Sequence, residues 1–487
     1  MPRHELNVLL SGRSEETVTL EPAVALEPES SWLLRRAVDV LRLLPGMGST
    51  SMSSPVRLAV RGSSWTLVGY GGSQLLRFAA QIALAHVLAP TAFGAVALAI
   101  VFLSGLELLS DLGIGMDVIQ HPRGDDPAFV NTAFIIQAVR GSILFVIAAL
   151  LAHPFAIFYH MPQVEFLAIV AALSILIRGF ASGSIWTLTR HVRIRELTLL
   201  TITGEVVGLV VSLIWVYVSP TAWALVIGRV ASSIIYTSGS HLIGEGNFCL
   251  QWDRVAAKEI LAFGAGIFLS SATYFMSGEA ERLIVGKCIT IAELGCFSLA
   301  LTMASAPAQA LNQVVGQVFY PIISRSARES PEIASRHFVK ARTVFLLISI
   351  ALTVLFIVCG PMIVSILLPP KYEMTGWMLQ WLGFRAAQQV FVAPTTSLLF
   401  AHGNTKYAAT YNIMRFILMT IGLWVAFTKF GIHLALAMLA LSSVVPYVFL
   451  IPGVLRYQPR AARFELLSFA SFLVISALAA CVPLPHF

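Results

Sequence analysis

Charge is scarce in this chain. Only 12% of its 487 residues are Asp, Glu, Lys or Arg, about half the share of an ordinary soluble domain. Carboxylates are the scarcer sign, 25 against 32 basic residues. So little charge cannot keep a surface wet around 57% hydrophobic residues, which excludes a soluble globule. Cysteine is rare as well. Cys249, Cys288, Cys296, Cys359 and Cys481 show no CxxC and no zinc spacing, so apolar packing is their expected role. No HExxH and no nucleophile elbow occurs, and VGKC at 285–288 lacks the upstream glycine and the Ser or Thr of a phosphate-binding loop. GDD at 124–126 has no further ligand at a metal-binding spacing. No loop between apolar segments is long enough to fold a catalytic domain. These absences argue against an enzyme, and no cofactor or metal is expected.

What is present is a series of continuous apolar runs near ~20 residues, the length of a membrane-spanning helix. They do not alternate as barrel strands do. Spans are expected near 65–88, 92–114, 130–152, 165–188, 197–218, 221–241, 259–280, 293–320, 343–367, 377–401, 407–428, 431–452 and 464–482. The chain is therefore read as an all-α polytopic membrane protein. Residues 1–56 form a polar tail with an acidic patch and no signal-peptide core; WLLRRAVDVLRLL (32–44) suits a short surface helix, and Met52 stands as an alternative start.

Loop charge orients the spans. RHVRIRE (190–196), SRSARESPEIASRHFVKAR (324–342) and RYQPRAAR (456–463) fall on one side, where positive loops stay cytoplasmic. The N-terminus is thus expected inside. The net charge of +7 needs no nucleic acid to explain it. The chain also repeats: TAFGAVALA (91–99) aligns with AELGCFSLA (292–300) at an offset of 201, pairing Gly94 with Gly295, and Gly115 with Gly316. Two parallel sets of six spans follow, at 57–241 and 259–455, with a cytoplasmic linker at 242–258 and a tail at 456–487 holding one extra apolar segment. Transporters built this way bind substrate between their halves.

Charged residues inside spans are functional candidates. Here most are arginines set in polar stripes: Arg77 with Gln74 and Gln81, Arg140 near Gln137, Arg178 between Ser174 and Ser182, Arg229 before Ser232 and Ser233, Arg385 before Gln388 and Gln389, and Arg415 beside Tyr411 and Asn412. Lipid cannot solvate such stripes, so they are expected to face a shared interior. A guanidinium fork suits phosphate oxygens. The plainer alternative for any single arginine is internal pairing with Glu107, Asp111, Glu205 or Glu279, or snorkelling to an interface. For the set that alternative is weaker, because mid-span arginines outnumber carboxylates. Glu107 and Asp111, four residues apart, are expected on one helix face as a gate, as an ion-coupling pair, or as salt-bridge partners of Arg140 or Arg77. Glu205 stands between the same readings.

RGSSWTLVGYGGSQLLRFAAQIALAHVLAPTAFGAVALAIVF (61–102), SDLGIGMDVIQ (110–120), GEAERLIVGKCITIAELGCFSLALTM (278–303), LNQVVGQVFYPIISR (311–325) and AHGNTKYAATYNIMRF (401–416) resemble Wzx-type polysaccharide and O-antigen flippases, a branch of the MATE-like (MOP) superfamily. The resemblance implies about 12–14 transmembrane helices in a V-shaped pair of bundles around a central cationic cavity. It implies alternating access, coupled to H+ or Na+. The implied substrate is an undecaprenyl-pyrophosphate-linked oligosaccharide in the bacterial inner membrane. A polysaccharide polymerase and a chain-length regulator would act beside it. A MurJ-like lipid II flippase shares the cationic cavity, a MATE drug exporter would need an acidic one, and a non-transporting scaffold would need no wet interior.

Overall fold

The computed structural model describes residues 54–243, 251–278 and 280–480. The surface segment at 32–44, Met52, Cys249 with the middle of the linker, Glu279 and the chain from 481 onward lie outside them. The chain divides at Arg57 into two units. Of Met1–Arg57 only 54–57 are described, and they open a helix; everything below concerns Leu58–Phe487.

Helix is the only regular structure among the described residues, as a bilayer demands of backbone groups that find no water. The first half holds α1 (Ser54–Val87), α2 (Pro90–Leu108), α3 (Ile114–Gln120), α4 (Pro127–Tyr159), α5 (Gln163–Gly179), α6 (Ser184–Arg190), α7 (Ile194–Val218) and α8 (Trp223–Ile243). The second holds α9 (Arg254–Gly278), α10 (Ala280–Cys288), α11 (Ile291–Val314), a π turn (Val315–Phe319), α12 (Tyr320–Glu329), α13 (Pro331–Leu367), α14 (Met374–Ala401), α15 (Lys406–Lys429), α16 (Ile432–Val444), α17 (Ile451–Tyr457) and α18 (Pro459–Ala480). Among the described residues eight helical segments are long and apolar enough to cross a membrane, and nine with the α5–α6 pair, bent by 63°. Helices α1, α8, α9 and α14 have the length but not the apolarity. Three of them carry Arg77, Arg229 and Arg385, so their polarity belongs to the interior rather than to lipid.

The two halves meet along α2 and α11. A methyl group on Gly94 would overlap the Ile291 carbonyl oxygen, and one on Gly295 would overlap that of Pro90. Pro90 and Ile291 are themselves 201 residues apart, so the repeat offset is a real pseudo-two-fold contact with a glycine on each side. Small residues let membrane helices touch backbone to backbone. Nearby, each half also reaches for carbonyls of the other. The Tyr159 hydroxyl, ending α4, donates to Leu283 O at 2.8 Å, and Tyr372, just past α13, donates to Leu88 O at 2.9 Å. Lys287 Nζ donates to Phe158 O, and Lys371 Nζ to His86 O at 3.2 Å. This is the outer end in the charge-derived orientation, and the reciprocal bonds seal it.

The opposite end departs from the expected spans. The second span does not run through to 114: α2 stops at Leu108, and the chain turns through Gly113 at φ 57° before α3 begins. That left-handed conformation suits glycine. Asp111 therefore lies in the break, not on the helix face that carries Glu107. The break is held by Arg140 of α4, whose Nη2 donates to Glu107 O at 2.7 Å and whose Nε donates to Ser110 O at 2.8 Å. These are the terminal carbonyls a helix leaves unbonded, and a guanidinium at a helix C-terminus also meets the negative end of its dipole. The matching region of α11 does not break but widens into the π turn at Gly316, the repeat partner of Gly115.

The last helix, α18, is tied into the second half by a charge network absent from the sequence reading. Arg342 and Glu465 are fully buried, with Nε 2.7 Å from Oε2. Arg342 also donates to Phe391 O and to the Tyr447 hydroxyl at 2.8 Å, while Tyr447 and Thr395 donate to Glu465. Its guanidinium lies 3.4 Å over the Phe391 ring.

Two predictions follow from these clamps. Glu465→Gln or Arg342→Met alone leaves a buried charge uncompensated and should lower stability by about 3–5 kcal/mol, whereas Arg342→Met with Glu465→Leu should recover most of that loss. Thermal unfolding in detergent, followed by size-exclusion fluorescence, measures all three. Arg140→Gln strips donors from the carbonyls at the α2 break and should lose about 1–3 kcal/mol in the same measurement.

Candidate functional site

The interior of the second half encloses a cavity of about 520 Å³. Four helices supply its polar lining, and Gly278 at the end of α9 completes it. Helix α14 supplies Arg385 and Gln389, and α15 supplies Tyr411, Asn412 and Arg415 at helical spacing on one face. Helix α11 adds Gln309 and Asn312, and α10 adds Glu281 and Arg282. Of the candidates in this half, Arg385, Gln389, Tyr411, Asn412 and Arg415 line this one cavity, whereas Gln388 is fully buried outside its lining. Arg385 is buried and paired with buried Glu281, with Nη1 donating to Oε1 at 2.8 Å. Arg415 lies within electrostatic reach of Arg385, Tyr411 and Glu281.

Glu281 and Arg282 were not anticipated from the sequence. They sit in GEAERLIVGKC, where only Glu279 stands in the sequence analysis as a possible partner of the mid-span arginines. The available signal was spacing: Arg282 falls on the polar stretch of a segment whose repeat counterpart holds Gln81 and Arg77.

In the first half the candidates divide. Arg77 is paired with Glu205 of α7, Nε to Oε1 at 2.8 Å, so its partner is Glu205 and not Glu107 or Asp111. Gln74, one turn away on α1, crosses to the other half and donates to Gln309 at 3.0 Å. Gln81 is partly buried on the same helix. Arg178 makes a long bond to the Ser233 hydroxyl at 3.3 Å and lies 5.2 Å over the Tyr236 ring. Arg229 makes the equivalent bond to Ser174 at 3.3 Å. Arg229 is also within electrostatic reach of Glu107, Arg178 and Arg77, so these groups share one interior.

A second cavity, of about 360 Å³, is lined by Ser104, Glu107, Leu108, Asp111 and Arg140. Glu107 and Asp111 therefore meet, although across the helix break rather than along a helix face. Arg140 bonds the Glu107 carbonyl and not its carboxylate. Asp111 bridges the halves: one oxygen accepts Gly113 N–H at 2.9 Å, and the other accepts the Ser271 hydroxyl of α9 at 3.0 Å.

Among these described residues seven arginines (77, 140, 178, 229, 282, 385, 415) face four carboxylates (107, 111, 205, 281). The interior is basic in both halves. Its hydroxyl and amide neighbours are neutral and can donate to a bound anion beside the guanidinium groups.

The fold is similar to that of solved membrane transporters. It superposes on the lipid II flippase MurJ in an inward closed conformation with a TM-score of 0.61, covering 87% of this chain and 97% of that one at 11% identity. An inward-facing multidrug resistance MATE family transporter of the MOP superfamily gives 0.58, covering 91% and 99% at 14% identity. At that identity the likeness speaks for the fold: two helical bundles, in an all-helical, multi-pass membrane protein. In sequence, the succinoglycan biosynthesis transport protein ExoT of Rhizobium meliloti is 22% identical over 272 residues, 54% of this chain and only 53% of its own length. The teichuronic acid biosynthesis protein TuaB of Bacillus subtilis is 20% identical, covering 70% and 71%. The lipopolysaccharide biosynthesis protein WzxC of Escherichia coli K12 is 18% identical, covering 73% and 72%, which bears out the Wzx-type resemblance. The sequence model of polysaccharide biosynthesis proteins matches residues 83–376. That stretch runs from the end of α1 to the start of α14 and takes in both sides of the α2–α11 contact; the chain belongs to the polysaccharide biosynthesis protein family.

Proposed function

We propose that this protein is a flippase, not an enzyme, and moves an undecaprenyl-pyrophosphate-linked oligosaccharide from the inner to the outer leaflet of a bacterial inner membrane. The observation that carries the reading is the excess of arginine over carboxylate in the interior of both halves. A pyrophosphate carries the negative charge and the acceptor oxygens to which guanidinium forks donate. Arg178 and Arg229, whose hydrogen bonds to Ser233 and Ser174 are long, can exchange those partners for phosphate oxygens at little loss. Arg385, Arg415 and Arg282 would meet the same headgroup, or acidic sugars, from the other half.

With the N-terminus cytoplasmic, the reciprocal seal closes the outer end, and substrate would enter from the inner side. Alternating access then requires the Tyr159, Tyr372, Lys287 and Lys371 bonds to break as the inner end closes. Coupling to H+ or Na+ would drive the cycle, with Glu107, Asp111 and Glu205 as gate groups. A polymerase and a chain-length regulator would take up the product. A drug-exporting role suits the fold but not the sign of the cavity, since organic cations need carboxylates. A lipid II substrate remains compatible with the same basic interior.

The test is a sided assay. Purified protein is reconstituted with a short undecaprenyl-pyrophosphate oligosaccharide, and a membrane-impermeant glycosidase is added outside. Wild type should expose the inner half of the lipid to cleavage. Arg77→Ala, Arg415→Gln and Arg282→Gln should each slow that exposure by about 10-fold or more, the loss of one charge-assisted hydrogen bond. Full protection of the inner pool by wild type, under both an H+ and a Na+ gradient, would remove this substrate class.

A further inference from the structure

A group of titratable side chains lies outside both cavities. It lies where α3, of the first half, meets the start of α9, of the second. Asp117 on α3 is only 3% exposed, and its Oδ2 has no hydrogen-bond partner among the described residues. Glu259 on α9 turns a buried Oε2 inward that also lacks a hydrogen bond. His121 follows Asp117 by one turn, and its Nε2 lies 3.8 Å from that Glu259 oxygen. The three groups are within electrostatic reach of one another.

The histidine is fixed in one tautomer. Its Nδ1 accepts the Arg123 backbone N–H at 3.2 Å, and its ring stacks on Phe129 at 4.4 Å. The single proton of the neutral ring therefore sits on Nε2 and points toward Glu259.

The basic groups around this seam are engaged elsewhere. Arg123 binds Asp126 at 2.8 Å and Asp253 at 2.6 Å, and its Nη1 lies 3.8 Å from Glu259. Its guanidinium holds Asp126 and Asp253 below the usual carboxylate range, so both stay ionised. Arg190 of α6 donates to the carbonyls of Ile119 and His121 at 2.7 and 2.8 Å and, through Nε, to Asp125 at 2.9 Å, which His191 also meets at 2.9 Å. None of these reaches Asp117. Burial pushes the Asp117 carboxyl upward, opposed by His121 and aided by the charge of Glu259.

We propose that Asp117 is a proton-binding site at the seam between the two halves, with Glu259 as its opposing charge and His121 as the oriented group between them. With Asp117 neutral, the seam between α3 and α9 is closed and dry. With Asp117 ionised, a buried carboxylate faces the inward oxygen of Glu259, and only water entering the seam can solvate it. The closed seam binds the proton more tightly than the open one, so closure is favoured at low pH and lost as pH rises through the raised value. The inference rests on the reading that the two halves move relative to each other, but its readout needs no glycan.

Spin labels at Gln120→Cys and Val255→Cys, both exposed positions on either side of the seam, report its width in a background freed of native cysteines. Electron-electron resonance distances would be taken in nanodiscs from about pH 5 to about pH 8, above the ordinary aspartate value of about 3.9. Wild type should gain a longer-distance population as pH rises, its ratio to the short one changing by up to about tenfold per pH unit in the titrating range. Asp117→Asn, a mimic of the neutral acid, should keep the short distance throughout, and Glu259→Gln should flatten the response. Should Asp117→Asn fail to fold, Glu259→Gln carries the comparison. A wild-type distance independent of pH, an unchanged response in Asp117→Asn, or in Glu259→Gln where it stands alone, or a shift driven by Na+ against choline at fixed pH overturns the proton site. None of those results would touch the flipping assay.

Discussion

A guanidinium inside a bilayer can neither lose its proton nor be solvated by lipid, and the architecture follows from finding each one a partner. Three kinds of partner appear. Carboxylates take Arg77, Arg385 and Arg342. Backbone carbonyls at a helix end take Arg140. Hydroxyls and an aromatic face take Arg178, and a hydroxyl takes Arg229. The kind of partner separates tasks. Arg342 and Arg140 are locked by groups that cannot leave without exposing buried charge or bare carbonyls, so they hold helices in place. Arg178 and Arg229 give up little when an anion arrives. The same residue type thus builds the scaffold and supplies the basic interior.

Much of this was legible before the coordinates. The mid-span arginines stand inside runs where nothing else is charged, so the stripes on α14 and α15 were plain, and their residues share one cavity. The repeat was readable because a glycine forced by backbone contact leaves the same letter in both halves. Other features were hidden for physical reasons. Arg342 and Glu465 each lie at the edge of an expected span next to basic loop sequence, where charge normally reads as solvated; only the packing of α18 against α13 brings them together. The gate pair was placed on one helix face because i, i+4 spacing presumes a continuous helix. Gly113 breaks it, and Ser110 and Gly113 in a sequence as apolar as IVFLSGLELLSDLGIG gave too weak a stop signal.

The two ends of the molecule are built on different principles. One end is closed by neutral backbone oxygens receiving Tyr and Lys donors, in a pattern that nearly repeats when the halves are exchanged. The opposite end is asymmetric and ionic, with α9 leaning onto the first half through Asp111, Arg123, Asp253 and Glu259. Bonds to carbonyls are indifferent to pH near neutrality, whereas a seam of carboxylates, one histidine and arginine is not. Salt and acid should therefore act on one mouth of the cavity and leave the other alone.

The contact of Gly94 with Ile291 and of Gly295 with Pro90 has a consequence for descent. A chain that touches its own repeat at matching register makes the contact a homodimer makes across its two-fold axis. In a forebear assembled from two identical six-helix chains, those glycines would have been one position facing its own copy. Any side chain introduced there would have arrived twice at a single point in space. Fusion of the copies freed most positions to diverge, as the unmatched arginines show, but a point on the axis stays crowded from both sides. It is where a duplicated membrane protein keeps the longest trace of having once been two.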